Sequence, residues 1–506
     1  MTAMIETAPG ETPLRRAGRT TAITVALIAL ADYLIFDQAP GLNLFVLAIA
    51  IAAGILLLDL GRLSTKPVLL ALSISVCAAL PLLEAPTLTG ALVALLGLAI
   101  LALVRARLLP ARLTATPATL LRYALVAPFR LAMDWIRLFS TGVGRLLGSR
   151  ILRGIVVWVI PALFALVFVG LFASANPIIE NLLEGLDPFI VLQVLNPFRV
   201  AFWLFVAVPV WALLRPRLLR KARRRVVAAA AVAAKPENLL FGHAAILRSL
   251  LLFNAMFAVQ TGLDVAYLWG GVALPAGMSH ADYAHRGAYP LIVTALLAAA
   301  FVLAAMRKHG PGEKSPLIRG LVYAWIAQNV LLCVSSILRL ELYVAVYTLT
   351  ELRIAAGIWM GLVAAGLLLI LLRIALRRSN GWLIAMNLST LTAVLYICAF
   401  IDFSALIARF NVEHSYELTQ SGVPLDLSYI RCLGPTTVPA LDGYIAALGA
   451  RPGADPTAAR AIRLELAAAF AARPRDWRSW SLRSARLEDY LARQAPIATG
   501  RRSDNN

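Results

Sequence analysis

Residues 354–372 read IAAGIWMGLVAAGLLLILL, an apolar run without one charged side chain. A helix needs roughly 20 apolar residues to cross the hydrocarbon core of a bilayer, and this run meets that length. Arg373, Arg377 and Arg378 follow it, and basic residues of this kind flank the cytoplasmic ends of membrane spans. The stretch therefore predicts a transmembrane helix.

The composition of the whole chain agrees with this local prediction. Of 506 residues, 60% are hydrophobic and 15% are charged, and the mean hydropathy is +0.79. A soluble domain is about half apolar and about a quarter charged. These values exclude an ordinary soluble enzyme, a disordered protein and a disulfide scaffold. The fold class we expect is an all-α, polytopic transmembrane helical bundle.

The same length criterion predicts about eleven spans. They lie near residues 21–36, 42–60, 67–83, 86–104, 154–175, 198–214, 246–271, 288–306, 320–338, 354–372 and 382–403. We expect four regions: an N-terminal four-span module (1–104), a basic cytoplasmic loop with an interfacial helix (105–153), a seven-span core (154–403), and a small extracytoplasmic helical domain with a disordered tail (404–506). In the last region Asp455-Pro456 predicts the start of a helix that ends near Arg473, and a second helix is expected near Trp480–Gln494.

The net charge of +20 must be interpreted by location. A basic excess of this size often indicates a protein that binds nucleic acid. With the N-terminus inside, however, the inner segments hold 29 of the 47 basic residues. Cytoplasmic loops of membrane proteins are enriched in Lys and Arg. We therefore expect a cytoplasmic N-terminus, an extracytoplasmic C-terminus and no nucleic-acid partner.

The loop at 105–153 alternates basic with apolar residues. Arg122, Arg130 and Arg137 stand among leucines and aromatic residues. Such a helix lies in the membrane interface and favours anionic lipid of the cytoplasmic leaflet. A plain connector that obeys the charge bias is the alternative. Membrane lipid is thus one expected partner, and a protein in the membrane is another.

The usual catalytic signatures are absent from the sequence. It contains no GxxxxGK phosphate loop, no HExxH and no GxSxG. His280, Asp282 and His285 share one outer loop, but their spacing is a weak metal-site signal. We expect no catalytic residue, no metal and no cofactor.

Polar side chains within the spans are the better functional signal, because burying them in lipid is costly. Gln260 and Asp264 lie four residues apart and share one helix face. Asp264 lies near the outer end of its span, where we expect contact with water. Gln328 and Arg339 belong to one polar stripe, which Tyr343 extends if the helix continues. Such a set suits either a path for a small solute or the packing of a helical bundle.

Several motifs carry a family resemblance. They are YAHRG at 283–287, RLELY at 339–343, YTLTELR at 347–353, Asn411, LDLSYI at 425–430, and LG at 433–434 with VPAL at 438–441. Together they resemble an uncharacterised bacterial membrane family, domain of unknown function four-one-seven-three, with a sister group four-one-five-three, over roughly residues 150–450. The resemblance implies a bacterial inner-membrane protein and no activity. The family pattern has Gly where Thr348 stands, so we expect the turn there to differ.

The resemblance adds Tyr283, Arg286, Arg339, Tyr343 and Arg353 to the candidate residues. We expect them at the outer ends of neighbouring spans. They form either an Arg/Tyr/Glu hydrogen-bonded lock or the mouth of an extracytoplasmic ligand site. The complete candidate set is Gln260, Asp264, Tyr283, Arg286, Gln328, Arg339, Tyr343 and Arg353.

Three functions remain open from the sequence. The first is a non-enzymatic scaffold, sensor or partner subunit in the inner membrane. The second is a transporter or channel for an ion or small solute, using the polar residues of spans seven and nine. The third is a membrane enzyme acting on a lipid-linked substrate. It requires a carboxylate cluster in an outer cleft, which Glu180, Glu184 and Asp187 provide only if their loop folds back onto the spans.

Overall fold

The computed structural model describes residues 13–59, 65–110, 115–138, 196–218, 243–266 and 315–494, with a few single residues between these ranges. Every regular element in them is helical, which confirms the predicted all-α class. The chain forms two compact units. Unit 1 comprises Met1–Ala222, Leu395–Phe400 and Pro474–Arg486, and unit 2 comprises Arg223–Val394, Ile401–Arg473 and Leu487–Asn506. The four regions expected from the sequence stay a prediction.

Eight helices of the described residues are long and apolar enough to cross a membrane, and they coincide with eight of the predicted spans. The predicted span at 42–60 is a shorter apolar helix of 16 residues. The predicted spans at 154–175 and 288–306 lie almost entirely outside the described residues. The Glu180, Glu184 and Asp187 cluster, and His280, Asp282 and His285, also lie outside them.

Unit 1 contains the helices of the N-terminal half of the chain. They are α1 (Pro13–Ile35), α2 (Leu42–Leu57), α3 (Lys66–Ala79), α4 (Pro81–Glu84), α5 (Leu88–Arg105), α6 (Thr116–Val126), a 3₁₀ turn (Ala127–Phe129), α7 (Arg130–Leu138) and α8 (Pro197–Leu214). Helices α3 and α5 pack closely, since a Cβ at Gly97 would lie 2.6 Å from the Cβ of Ala78. Small residues at such contacts let two apolar helices approach within van der Waals distance.

Polar contacts join α1, α5 and α8 at both ends of unit 1. At one end, Asp32 of α1 accepts hydrogen bonds from Arg199 Nε and Trp203 Nε1 of α8, both at 2.8 Å. At the other end, Arg105 Nη2 of α5 donates to the carbonyl of Leu214 at 2.8 Å. Helices α1 and α8 therefore run antiparallel, as the predicted topology requires.

The segment Pro474–Arg486 is docked on the helix connections of unit 1. Its Trp480 carbonyl accepts from the amide of Leu42 at 2.7 Å. Its Arg486 makes two hydrogen bonds, of 3.0 and 2.7 Å, to the carboxylate of the buried Glu84. A Cβ at Gly41 would lie 2.3 Å from the carbonyl carbon of Ser479, so only glycine allows this backbone approach. Within unit 1 the segment thus lies at the end opposite to the start of α1.

Unit 2 is built around α9 (His243–Asp264), α10 (Pro316–Tyr347) and α11 (Glu351–Ala375). Helices α9 and α10 run parallel, because Asn254 meets Leu321 and Gln328 while Asp264 meets Arg339. Trp325 of α10 stacks on Phe253 of α9 with 5.0 Å between ring centroids. The predicted span at 320–338 is too short at its end, since α10 continues unbroken to Tyr347. At about 1.5 Å per residue α10 is about 48 Å long, well beyond the hydrocarbon thickness of about 30 Å.

Further helices complete the C-terminal half of the chain. They are α12 (Asn380–Cys398) and α18 (Leu482–Gln494), which each have residues in both units, and α13 (Phe403–Glu413), α14 (Tyr416–Thr419), α15 (Leu427–Leu433), α16 (Val438–Gly449) and α17 (Thr457–Ala471) of unit 2. The start predicted at Asp455-Pro456 is confirmed, since the Asp455 carboxylate accepts from the amide of Thr457 at 2.9 Å. The predicted disordered tail lies outside the described residues.

The helices α13 to α17 share a small apolar core of their own. Ile430, Leu441 and Tyr444 are buried in it, together with Leu487 from the end of α18 that belongs to unit 2. Burial raises the pKa of Tyr444 to about 12, so its hydroxyl stays neutral at physiological pH. A separate core of this kind is what makes a group of short helices fold as a domain.

Candidate functional site

A buried ion pair joins α9 and α10. Asp264, the last residue of α9, is 1% exposed, and Arg339 of α10 is 3% exposed. The guanidinium of Arg339 donates to Oδ1 of Asp264. The side-chain amide of Gln260 donates to the same oxygen at 2.9 Å. The expected shared face of Gln260 and Asp264 is therefore confirmed.

The expected contact of Asp264 with water is wrong. The expected polar stripe of Gln328 and Arg339 does lie on one continuous helix, and α10 carries the guanidinium of Arg339 against α9, where it covers the carboxylate. Charges are buried in proteins when they are paired, because the desolvation of an unpaired ion costs far more than folding provides. The pair is thus an inter-helix link, one of the two alternatives open from the sequence.

Gln328 joins the same two helices nearer their starts. Its Nε2 donates to the carbonyl of Asn254 at 3.3 Å. In turn, Asn254 Nδ2 donates to the carbonyl of Leu321 at 3.1 Å. Each amide therefore crosses the contact between α9 and α10, where hydrogen bonds between side chains and backbone fasten membrane helices together.

Three buried polar atoms near Gln328 make no hydrogen bond among the described residues. They are Gln328 Oε1, Asn329 Oδ1 and Trp325 Nε1. The asparagine and the tryptophan are 1% and 3% exposed. In an apolar medium each such atom costs about 1–3 kcal/mol if it stays unpaired. This part of α10 therefore contains two acceptors and one donor that are buried without a hydrogen-bond partner among the described residues.

A second cluster closes the turn between α10 and α11. Arg353, in the first turn of α11, donates to the carbonyls of Tyr347 and Thr348. Its guanidinium also lies over the ring of Tyr343, 4.7 Å from the centroid. The rings of Tyr343 and Tyr347 are 4.7 Å apart. One arginine thereby binds the last carbonyls of α10 and covers its aromatic side chains by cation–π contact.

Helices α13 and α15 hold the same turn from the other side. Asn411 of α13 accepts from the amide of Leu349 at 2.8 Å and donates to its carbonyl at 3.0 Å. The hydroxyl of Tyr429 in α15 accepts from the amide of Glu351 at 3.1 Å. Backbone groups at a helix–helix turn need partners of this kind. The turn is therefore fixed by the C-terminal helices of unit 2.

Thr348 adopts a backbone conformation that favours glycine, with φ +68° and ψ 174°. A β-branched residue held in such a region carries a strain of about 1–3 kcal/mol. Glycine removes this strain but loses more conformational entropy on folding, which costs about 0.5–1 kcal/mol. We expect Thr348→Gly to raise the free energy of unfolding by about 1 kcal/mol. Equilibrium unfolding in mixed micelles measures this change.

Thr350→Gly is the matched control, because Thr350 has φ −134° and needs no glycine. We expect this variant to be slightly less stable than the parent. Equal effects of the two substitutions would contradict the assignment of strain to Thr348.

The sequence also matches a known protein family. Residues 67–444, about three quarters of the chain, match the family described as Domain of unknown function (DUF4153). The chain belongs to this family. The resemblance put group four-one-seven-three first, so its sister group is the correct one. The DUF4153 match also begins earlier than the expected residue 150 and includes α3 and α5. Comparisons with curated proteins and with solved structures find no match.

The candidate residues of this DUF4153 chain form two groups. Gln260, Asp264 and Arg339 meet between α9 and α10, and Gln328 bonds across the same helix pair. Tyr343 and Arg353 meet at the turn. Tyr283 and Arg286 lie outside the described residues. Among the described residues, no group of three or more His, Cys, Asp or Glu could hold a metal ion.

Sequence reasoning did not select four residues that complete these groups in the DUF4153 chain. Asn411 and Tyr429 fix the turn, and Asn254 and Asn329 belong to the polar contact of α9 with α10. A signal existed for the first two, since both belong to the motifs that carry the family resemblance. The two asparagines of the spans stand in apolar runs without a motif, so only their helix faces could have indicated them.

Proposed function

We propose that this DUF4153 protein is a non-enzymatic, multi-pass protein of the bacterial inner membrane that acts as a sensor or partner subunit. Its N-terminus is cytoplasmic and its C-terminal helices are extracytoplasmic. The observation that carries the proposal is the attachment of the α10–α11 turn to α13 and α15. A domain fixed in this way to two membrane-spanning helices suits a receiver of signals or partners outside the cytoplasm.

The contacts define how a signal would travel. Asn411 bonds both backbone groups of Leu349, and Tyr429 bonds the amide of Glu351. A ligand or partner that displaces α13 or α15 therefore acts directly on the end of α10. Arg339 lies two turns below that end and holds Asp264 of α9. A displacement of the turn is thus passed to two parallel helices through rigid elements and one ion pair.

Charge and packing support the orientation. The segments assigned to the cytoplasm hold 29 basic residues, which follows the bias of bacterial inner-membrane proteins. In unit 1, the segment Pro474–Arg486 lies at the end opposite to the start of α1. Opposite ends for these two parts of the chain are what an odd number of spans requires.

The coupling is tested by hydrogen exchange on the full chain in nanodiscs. Asn411→Ala removes two hydrogen bonds, or about 1–2 kcal/mol, from the turn. We expect amides at 348–354 and at the end of α10 to exchange about 5–30-fold faster. Exchange in α17 should be unchanged, because α17 does not contact the turn through this asparagine.

Asn387→Ala is the matched control, since its side chain donates to Leu383 of its own helix at 3.0 Å. Tyr429→Phe removes only the hydroxyl and should reproduce a smaller part of the effect. Unchanged exchange at the end of α10 in Asn411→Ala would contradict the coupling, and with it the sensor function.

A transporter for a small polar solute is the second candidate function. The unpaired buried atoms of Gln328, Asn329 and Trp325 favour it, because such groups within spans are functional candidates. Flux of labelled solutes into proteoliposomes is the test, with Gln328→Leu and Asn329→Leu compared with the parent. Loss of flux in both variants with unchanged unfolding would support transport, and flux equal in all three would exclude these residues from a path.

A further inference from the structure

The helical stretch formed by α6, the 3₁₀ turn and α7 in unit 1 exposes an apolar stripe. Leu121, Leu125, Phe129 and Met133 recur every four residues along it. Their exposed fractions are 62%, 55%, 64% and 38%. Residues at this spacing share one helix face, so the four side chains form a continuous apolar surface. Contiguous apolar side chains left exposed in this way mark a site of interaction with another molecule.

The opposite face of the same stretch is buried and mixed in character. Tyr123 and Val126 are buried on the apolar side, and Thr119, Arg130 and Asp134 are buried polar residues. Burial raises the pKa of the Tyr123 hydroxyl well above its usual range. The stretch therefore has apolar residues on its inner face and on its outer face, whereas a helix at the surface of a soluble protein is apolar on the inner face alone. An apolar outer face favours an apolar medium on that side.

The buried face is anchored to α8. Asp134 accepts from Trp211 Nε1 at 3.2 Å and lies 3.4 Å from Arg215 Nη1. Arg130 bonds Asp134 through its guanidinium and donates through Nε to the carbonyl of Arg215 at 3.0 Å. The stretch is therefore fixed at the end of α8, with its apolar stripe turned away from the protein. Arg130 was expected among the exposed basic residues of an interfacial helix, but it is buried against Asp134.

The anchor carries more positive than negative charge. Asp134 pairs with the buried Arg130 and lies near Arg215, whose side chain is 35% exposed, and Arg217 is exposed close to this pair. Burial, and then the positive charges of Arg217 and Arg215, lower the pKa of Arg130 to about 10. The guanidinium nevertheless remains charged at pH 7. An excess of guanidinium charge beside an apolar stripe complements a molecule with an anionic head and apolar tails.

We infer that the outward face of α6–α7 is seated on anionic phospholipid, with the acyl chains on the leucine stripe and the phosphate near the arginines. The occupant is lipid because the stripe and the exposed charges of Arg215 and Arg217 match its two parts, and because α3 and α5 of the same unit also expose leucines, among them Leu70 and Leu92, 64% and 58% exposed. The inference rests on the proposed orientation only for the leaflet, which would be the cytoplasmic one.

Site-directed spin labelling of the full chain tests this assignment. The four native cysteines are replaced by alanine, and single cysteines are placed at Leu121, Leu125 and Phe129. Their exposure lets them carry a nitroxide without disturbing the core. Leu464 of α17 is the matched control, as an exposed leucine (63%) in the C-terminal helices. Each label is measured in vesicles of phosphatidylcholine alone and of phosphatidylcholine with an equal share of phosphatidylglycerol.

We expect the three stripe labels to collide more often with oxygen than with a water-soluble nickel reagent, and the Leu464 label to do the reverse. Phosphatidylglycerol should bury the stripe labels further, and high salt should cancel that gain. Water-like collision rates on the stripe would overturn the inference. Protection from both reagents would also overturn it, because that result indicates that a second copy of the chain covers the stripe. Equal results in the two lipid mixtures would overturn it as well, because the stripe would then not select an anionic headgroup. The coupling experiment measures exchange at residues of unit 2, whereas the stripe labels lie in unit 1, so either proposal can fail without the other.

Discussion

Replacing Arg339 with leucine is expected to lower the free energy of unfolding by about 3–5 kcal/mol, the usual cost of removing one member of a buried ion pair. Arg339 and Asp264 have side chains that are 4% and 2% exposed, so no water replaces the lost guanidinium. Asp264→Leu should be similarly destabilising. Equilibrium unfolding in mixed micelles, followed by tryptophan fluorescence, measures both changes.

The double variant Asp264→Leu with Arg339→Leu separates charge from packing. We expect it to recover most of the lost stability, because two apolar side chains leave no buried charge behind. Arg409→Leu is the matched control, since Arg409 and Glu413 form an ion pair with side chains 78% and 53% exposed. It should show no measurable change. If the double variant lost as much stability as the two single variants together, the pair would not act as a unit.

Gly41→Ala is expected to release the segment Pro474–Arg486 from the connections of unit 1. Its Cβ would lie 2.3 and 2.5 Å from the carbonyl carbon and oxygen of Ser479, and a backbone cannot yield as a flexible side chain does. Overpacking of this kind costs about 1–3 kcal/mol or more. We expect faster hydrogen exchange over 474–486 and at the amide of Leu42, which donates to Trp480. Trypsin should then cleave after Arg475 and Arg478.

Gly443→Ala provides the comparison, because a Cβ at Gly443 meets nothing within 4 Å. In the middle of α16 it should stabilise the helix by about 0.5–1 kcal/mol. Glu84→Gln tests the same attachment at its other end, where Arg486 binds the carboxylate in a bidentate pair. A segment that stays protected in Gly41→Ala would contradict the close backbone approach.

The helices could be predicted from the sequence because a membrane span is a local property. The run at 354–372 has the length, the apolar composition and the basic end that define one, and α11 contains it. The pair Gln260 and Asp264 could be predicted for the same reason, since helix periodicity alone places them together. Family motifs pointed to Arg353 and Tyr343 before their contact was known.

Long-range partners could not be predicted in this way. Arg339 could be placed on a polar helix stripe, but its partner Asp264 lies 75 residues away, so helix periodicity could not show that the two charges pair. Asn411 and Leu349 are 62 residues apart. Glu84 resembled an ordinary acidic turn residue, since its partner Arg486 comes from another part of the sequence. In each case the structural role of a polar residue depends on a partner that is distant in the sequence.

The separation between Glu84 and Arg486, 402 residues, also has a consequence for synthesis. At bacterial and eukaryotic rates of about 5–20 residues per second, Arg486 is made about 20–80 seconds after Glu84. During that interval the carboxylate of Glu84 lacks both Arg483 and Arg486. The connection after α4 can therefore reach its final contacts only near the end of synthesis, so the fold of unit 1 is completed by residues from the last part of the chain.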